Sequence, residues 1–365
     1  MKKYHIALIA LIIIIFIYLF MRFRYRKSYL NNLIKNMNVE QNKTECEECT
    51  NIETFGNTKE SEYEKYKQNE GINIVSVGKD YIKQPLKEYV IKSSYNSAIT
   101  GEYVNKDMVS NLLERGCRFL DFEVLMEEGI PIVTYTTDPN LELFNTNNTE
   151  TLYDILNVVI TKSFAKPSPN YEDPIFVNLR IKSNDASIYN RIAIDISRTL
   201  KSRLFNGKIT KDTTLSEVMG KVVLVVDKTI NRNYAEDSVC KNKTDQDCKD
   251  LTKMVNLESG SDICHLNTYT NVMNRPKKTI RVKDDCNLCT DIEKIQMVIP
   301  DLINDNTENP HMYELVNNYG CQIITQRYYI NDAGLTNYEE FFNKNKCGII
   351  PLSLAIDYLY KQQFE

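Results

Sequence analysis

Residues able to do chemistry are unevenly supplied in this chain: there are ten cysteines but only three histidines among 365 residues. Histidine is the side chain whose ordinary pKa suits general acid–base work near neutrality. His5 lies inside an apolar run, so His265 and His311 are the imidazoles left to a folded domain, and a surface or core role is expected for both. Cys240, Cys248, Cys264, Cys286 and Cys289 cluster in one stretch. Cys286-x-x-Cys289 with its neighbours could hold zinc tetrahedrally or could fasten a loop through disulfides. The spacings match no compact zinc module, so disulfides are expected. Cys46-x-x-Cys49 joins these disulfide candidates as a local bridge or a chain cross-link. No strand precedes it, which argues against a thioredoxin-like role.

The elements that must position such residues follow from composition and pattern. At 42% hydrophobic and 26% charged, the chain can bury one large core or two modest ones. A net charge of -4 leaves no basic footprint, so nucleic acid is not an expected partner. Ile6–Phe20 is almost wholly apolar, has no polar face and is followed by the basic run MRFRYRK rather than a small-residue cleavage site. An uncleaved membrane-spanning helix within residues 1–21 is therefore expected, in preference to a signal peptide. The basic residues after the span weakly favour a cytoplasmic C-terminal domain. The cysteine count and the sequons at Asn42, Asn147 and Asn242 point the other way. The membrane of a large cytoplasmic DNA virus with its own thiol-oxidising system would reconcile both signals, which makes a virion membrane one expected location.

Residues 22–80 are polar and read as a stalk. Short apolar strands then alternate with helical stretches. Candidate strands are Tyr89–Ser93, Phe119–Leu125, Ile132–Tyr135, Ile175–Leu179, Val222–Val226, Thr279–Val282, Gln296–Ile299 and Cys321–Tyr328. Candidate helices are Lys106–Arg115, Thr151–Ser163, Ile188–Leu204 and Met312–Asn318, and Leu352–Phe364 has helical spacing that would close the end of a barrel. Val222–Val226 is apolar throughout, as a strand covered on both faces should be. The alternation, without a glycine-rich dinucleotide turn, predicts a parallel α/β (TIM) barrel, interrupted by a charged insertion at 229–262.

Motifs in order sharpen that reading. PLKEYVIKSSYNSAITGEY, then GCRFLDFEV, a strand with Pro131, DPIFVNL and TLSEVMGKVVLVVDK resemble the X-box of phosphoinositide-specific phospholipase C. NYGCQIITQRYY and FFNKNKCGIIPLS resemble the end of its Y-box. The resemblance spans about residues 83–352. It implies an X-like half-barrel at 81–228 and a Y-like half-barrel with the C-terminal helix at 263–365, with 229–262 in the place of the X–Y linker. It also gives Cys117, Cys321 and Cys347 a default role in core packing.

The resemblance also exposes departures. The family's two catalytic histidines fall at Tyr95 and Tyr135, whose phenols, with an ordinary pKa of about 10, are poor bases near neutrality. Three of the family's calcium-site positions match Asn96, Asp121 and Glu123, but the fourth is Arg180. A guanidinium would repel calcium, so Arg180 is expected to stand in the cation's place and pair with Asp121 or Glu123. Headgroup-binding lysines fall at Val225 and Asp227, and an arginine–tyrosine pair at Met297 and Ile299. The expected function is a membrane-anchored phospholipase C-like pseudoenzyme without a cofactor, a binding or structural protein whose partner is a lipid headgroup or another protein. The alternative is an active phosphatidylinositol phosphodiesterase with rearranged groups, using Tyr95, Tyr135 and Arg180, with calcium as its cofactor.

Overall fold

The computed structural model describes residues 58–67, 72–240, 248–284, 286–301 and 308–363. Eight strands make the barrel: β1 (Tyr89–Ser94), β2 (Phe119–Glu127), β3 (Ile175–Ile181), β4 (Val222–Asp227), β5 (Leu257–Ser259), β6 (Cys264–Thr268), β7 (Ile295–Ile299) and β8 (Ile323–Gln326). Each pairs in parallel with the next. β8 pairs in parallel with β1, which closes the ring. An antiparallel hairpin strand, Ile130–Val133, extends β2, and Ile349–Pro351 runs antiparallel beside β1.

Strand alternation divides the core in two. Ile91, Phe119, Phe176, Val223, Met297 and Ile323 point inward and fill the barrel. Their neighbours Val90, Leu120, Val177, Leu224, Val298 and Ile324 point outward against the helices. Burying each such side chain contributes roughly 1.5–3 kcal/mol. The helices start where the chain supplies caps. Asn105 caps α1 (Lys106–Glu114) by accepting from the Asp107 backbone, and Thr151 caps α2 (Leu152–Ser163) by accepting from that of Asp154. α3 (Ser187–Thr199) follows β3, and α4 (Ala333–Asn345), capped by Asp332, follows β8. α5 (Leu352–Gln362) ends the described chain.

The parallel barrel is as the pattern implied, but several expected boundaries move. β5 lies inside the stretch read as the 229–262 insertion, and Thr279–Val282 is not a barrel strand. Val282–Lys283 instead pairs with Cys286–Thr290 in a small hairpin. α3 stops at Thr199, short of Leu204. α4 was absent from the expected helices.

The compact barrel unit starts at Asn57, so the polar region read as a stalk to residue 80 already belongs to it in part. A short helix, Lys59–Glu64, is fixed by buried Glu62, which accepts from Thr100 Oγ1 at 2.6 Å and from the Glu102 and Tyr103 backbones. Gly101 makes this possible. Its φ is +131°, and a Cβ there would meet Glu62 Oε1 at 2.7 Å. The expected membrane helix lies outside the described residues, as do Cys46 and Cys49. Among the described residues no helix is long and apolar enough to cross a membrane.

Candidate functional site

Polar residues gather at the carboxyl-terminal end of the barrel, where alternation points them inward. On β2, Asp121 and Glu123 continue the inward row begun by Phe119. On β3, Asn178 and Arg180 continue the row begun by Phe176. Parallel register sets Asp121 beside Asn178 and Glu123 beside Arg180. β1 delivers Tyr95 and Asn96 just beyond its last residue. Asn96 adopts φ +44°, a left-handed conformation that asparagine tolerates, and its backbone N–H donates to Asp121 Oδ2 at 3.1 Å.

Arg180 is the centre of this arrangement. Its Nε donates to both Asp121 oxygens, at 3.0 and 3.1 Å, and its Nη1 to Glu123 Oε2 at 2.7 Å. Its Nη2 donates to Asn96 Oδ1, and the guanidinium lies over the Tyr95 ring, 4.4 Å from the centroid. Arg180, Asp121 and Glu123 are all buried. A second cation completes the balance: Lys182 Nζ donates to Glu123 Oε1 at 2.8 Å and to the Thr136 carbonyl. The Thr136 N–H also donates to Glu123 Oε1, at 2.9 Å. Two carboxylates thus face two cations, with every carboxylate oxygen bonded. Burial by itself would lower the basicity of Arg180, but Asp121, Tyr95 and Glu123 outweigh it and hold the group well above its ordinary value. The pKa of Asp227, at the end of β4, is also raised, here by burial, against the Thr229 hydroxyl and N–H that favour its charged form.

Calcium does not fit this donor set. Asn96 Oδ1, both Asp121 oxygens and Glu123 Oε2 are bonded to one guanidinium, whose charge would oppose a cation. Among the described residues no group of three or more His, Cys, Asp or Glu side chains is placed to hold a metal ion. The expected pairing of Arg180 with Asp121 or Glu123 is thus present with both at once. Lys182 went unread, although Arg180-x-Lys182 puts the two cations on one face of the strand's end.

The space left at the mouth is small. A cavity of about 20 Å³, bounded by Tyr95, Tyr135, Glu123, Asp301 and Arg327, is room for about one water. Ligand sites measure about 300–1,000 Å³. Val225, Met297 and Ile299 fill the interior below with buried apolar side chains. The two tyrosines at the expected histidine positions both reach this mouth. His265 and His311 do not: His265 is on β6 beside Lys294, and His311 adjoins Asn337.

The cysteines divide between bridges and core. Cys240–Cys248 and Cys286–Cys289 form disulfides. Cys264, expected among the disulfide candidates, is instead a buried free thiol on β6, because its side chain points into the barrel. Burial pushes its pKa to about 12. Cys117 and Cys321 are likewise buried free thiols, and Cys347 is a half-buried one.

A closed parallel barrel with its polar cluster at the carboxyl-terminal mouth belongs to the TIM-barrel class. Within that class, residues 82–228, which hold β1 to β4, match the family model described as phosphatidylinositol-specific phospholipase C, X domain. Solved structures agree on the fold. PLC21 from L. pealei matches with a TM-score of 0.53 and 14% identity over 74% of this chain and 37% of its own. PLC21 from S. officinalis matches with a TM-score of 0.54 and 13% identity over 75% of this chain and 38% of its own. The chain therefore spans a little over a third of the length of these two proteins. No curated protein sequence matches it.

Proposed function

We propose that this chain is a phospholipase C-like pseudoenzyme, anchored in a membrane by residues 1–21, whose barrel serves as a binding or structural module. The observation that carries this reading is Arg180, bonded at once to Asp121, Glu123 and Asn96. Cleaving a phosphodiester by attack of a neighbouring hydroxyl needs a base for that hydroxyl and an acid for the leaving oxygen. Among the described residues no imidazole stands beside Tyr95 and Tyr135 at the mouth, Asp121 and Glu123 are committed to Arg180 and Lys182, and Asp301 accepts from Thr270. A mouth of this size also leaves an inositol ring nowhere to sit.

The anchor, and with it a viral or virion membrane as the site of action, rests on the apolar run Ile6–Phe20 and on the disulfides. A lipid headgroup or a protein is the partner class this reading requires. The test is to incubate the full chain, held in non-ionic detergent, with phosphatidylinositol and to measure released inositol phosphate with and without calcium. No release is expected in either case. Turnover that disappears in Tyr95→Phe or Arg180→Ala would establish the phosphodiesterase alternative, and micromolar calcium binding by calorimetry would overturn the metal-free site.

A further inference from the structure

A far larger concavity, about 820 Å³, lies on the outer wall of the barrel beside β5 and β6. It exists because residues 260–263 join these strands with no helix between them, and only Ser259 and Cys264 pair across the seam. Gly260 permits the tight join: its φ is +80°, and a Cβ there would meet Thr229 Cγ2 at 2.4 Å. Elsewhere most outward positions of the strands are apolar under the covering helices, and the outward Lys92 is paired with Glu339 of α4. Here alternation points Glu258, His265 and Asn267 outward, with Gln296 beside His265 on β7. The lining sets these polar groups among Ile209, Val255, Leu257, Ile263 and Leu266, and its volume falls within the size range of ligand sites.

The charges on this wall indicate the sign of that ligand. Lys228 is paired with Glu258, which also accepts from Tyr234, so that carboxylate is already neutralised. Arg275 donates to a neutral amide, Asn267 Oδ1, and makes no ion pair among the described residues. Lys294 Nζ lies 3.2 Å from His265 Nε2, and its nearest carboxylate, Asp262, is 3.9 Å away and fully exposed. With Lys294 donating to Nε2, the neutral imidazole keeps its proton on Nδ1, which is then a free donor. An adjoining hollow of about 400 Å³ shares His265 and Arg275 and brings in Lys294. We infer that Arg275, His265 and Lys294 form a binding site for a phosphate-bearing ligand on the uncovered β5–β6 wall. A guanidinium fork, an ammonium and an imidazole N–H supply the donors that phosphate oxygens accept. Burial and then the nearby Lys294 and Arg275 hold the pKa of His265 below its ordinary value, consistent with a positive field awaiting an anion.

The test is calorimetric titration of the full chain with inorganic pyrophosphate, together with sedimentation on vesicles of phosphatidylcholine with and without phosphatidic acid. Saturable pyrophosphate binding is expected, at least tenfold weaker in Arg275→Ala/Lys294→Ala and unchanged in Lys344→Ala on α4. Saturation with pyrophosphate should also raise the pKa of His265 read by NMR. Pelleting with phosphatidic acid vesicles that the double variant loses assigns a lipid source, and pyrophosphate binding without pelleting assigns a soluble ligand. Absence of saturable binding to either probe overturns the site, as does equal affinity in the double variant. Both substituted side chains are at the surface, so circular dichroism should show the native fold in each variant.

Discussion

The mouth and the β5–β6 wall are both polar, yet they are built on opposite plans. At the mouth four charged side chains sit within the barrel and satisfy one another, leaving about 20 Å³. On the wall Lys228 is paired with Glu258, but Arg275 bonds a neutral amide and Lys294 a neutral imidazole with only the exposed Asp262 near it, beside an open hollow of about 820 Å³. The difference teaches that polarity alone does not mark a ligand site. What counts is whether the donors and acceptors are already spent on each other. By that measure the mouth is a satisfied cluster, and the donors open to a ligand lie on the wall where residues 260–263 join two strands without a helix.

The sharpest way to break this contrast is to remove the central cation. Arg180→Ala leaves Asp121 and Glu123 buried without their main partner, and breaking a buried pair in this way costs about 3–5 kcal/mol. Denaturant unfolding should show that loss. Millimolar calcium should then recover part of the stability in Arg180→Ala and none in the wild type. A loss below about 1 kcal/mol would mean that Arg180 is not what holds Asp121 and Glu123 in the barrel.

How much of this was legible in the sequence follows the same division. Val222–Val226 announces a covered strand because both of its faces are buried, and β1 to β4 were all read correctly in place. β5 and β6 were missed because their outward positions are Glu258, His265 and Asn267, which break the apolar run that a fully covered strand shows. The mouth was legible through the resemblance, since Asn96, Asp121 and Glu123 match its pattern and Arg180 stands at the position that departs from it. Lys182 and the Glu62 clamp were not, because their partners are remote in sequence: Glu123 is 59 residues from Lys182, and Thr100 is 38 from Glu62. Only the closed barrel brings such pairs together.

Smaller effects sharpen the comparison. Lys182→Ala removes a largely buried partner while Glu123 keeps Arg180 and the Thr136 N–H, so about 1 kcal/mol of stability should be lost. Lys294→Ala on the wall removes a cation bonded to a neutral imidazole at the surface and should change stability by less than about 0.5 kcal/mol. Were the wall substitution to cost as much as the mouth substitution, the wall too would be a structural network.

The subtlest discriminator is pH. The groups facing His265 are Lys294 from the start of β7, Arg275 beyond the helix that follows β6, and Asp262 from the β5–β6 join. Burial comes first, then the two cations, and together they lower its pKa from the ordinary 6.5, while Asp262 pulls weakly the other way. A lowered histidine pKa means that the folded protein binds this proton less readily than the unfolded chain. The contribution of His265 to stability is therefore intact above pH 6.5 and is lost as pH falls from there through the lower folded-state pKa. The effect should be small, because the ring is partly exposed and solvent screens its neighbours. NMR titration of the unliganded chain should give His265 a pKa below 6.5, and Arg275→Ala/Lys294→Ala should move it back up. An unshifted value in both proteins would remove the positive field from the wall and leave the two regions alike.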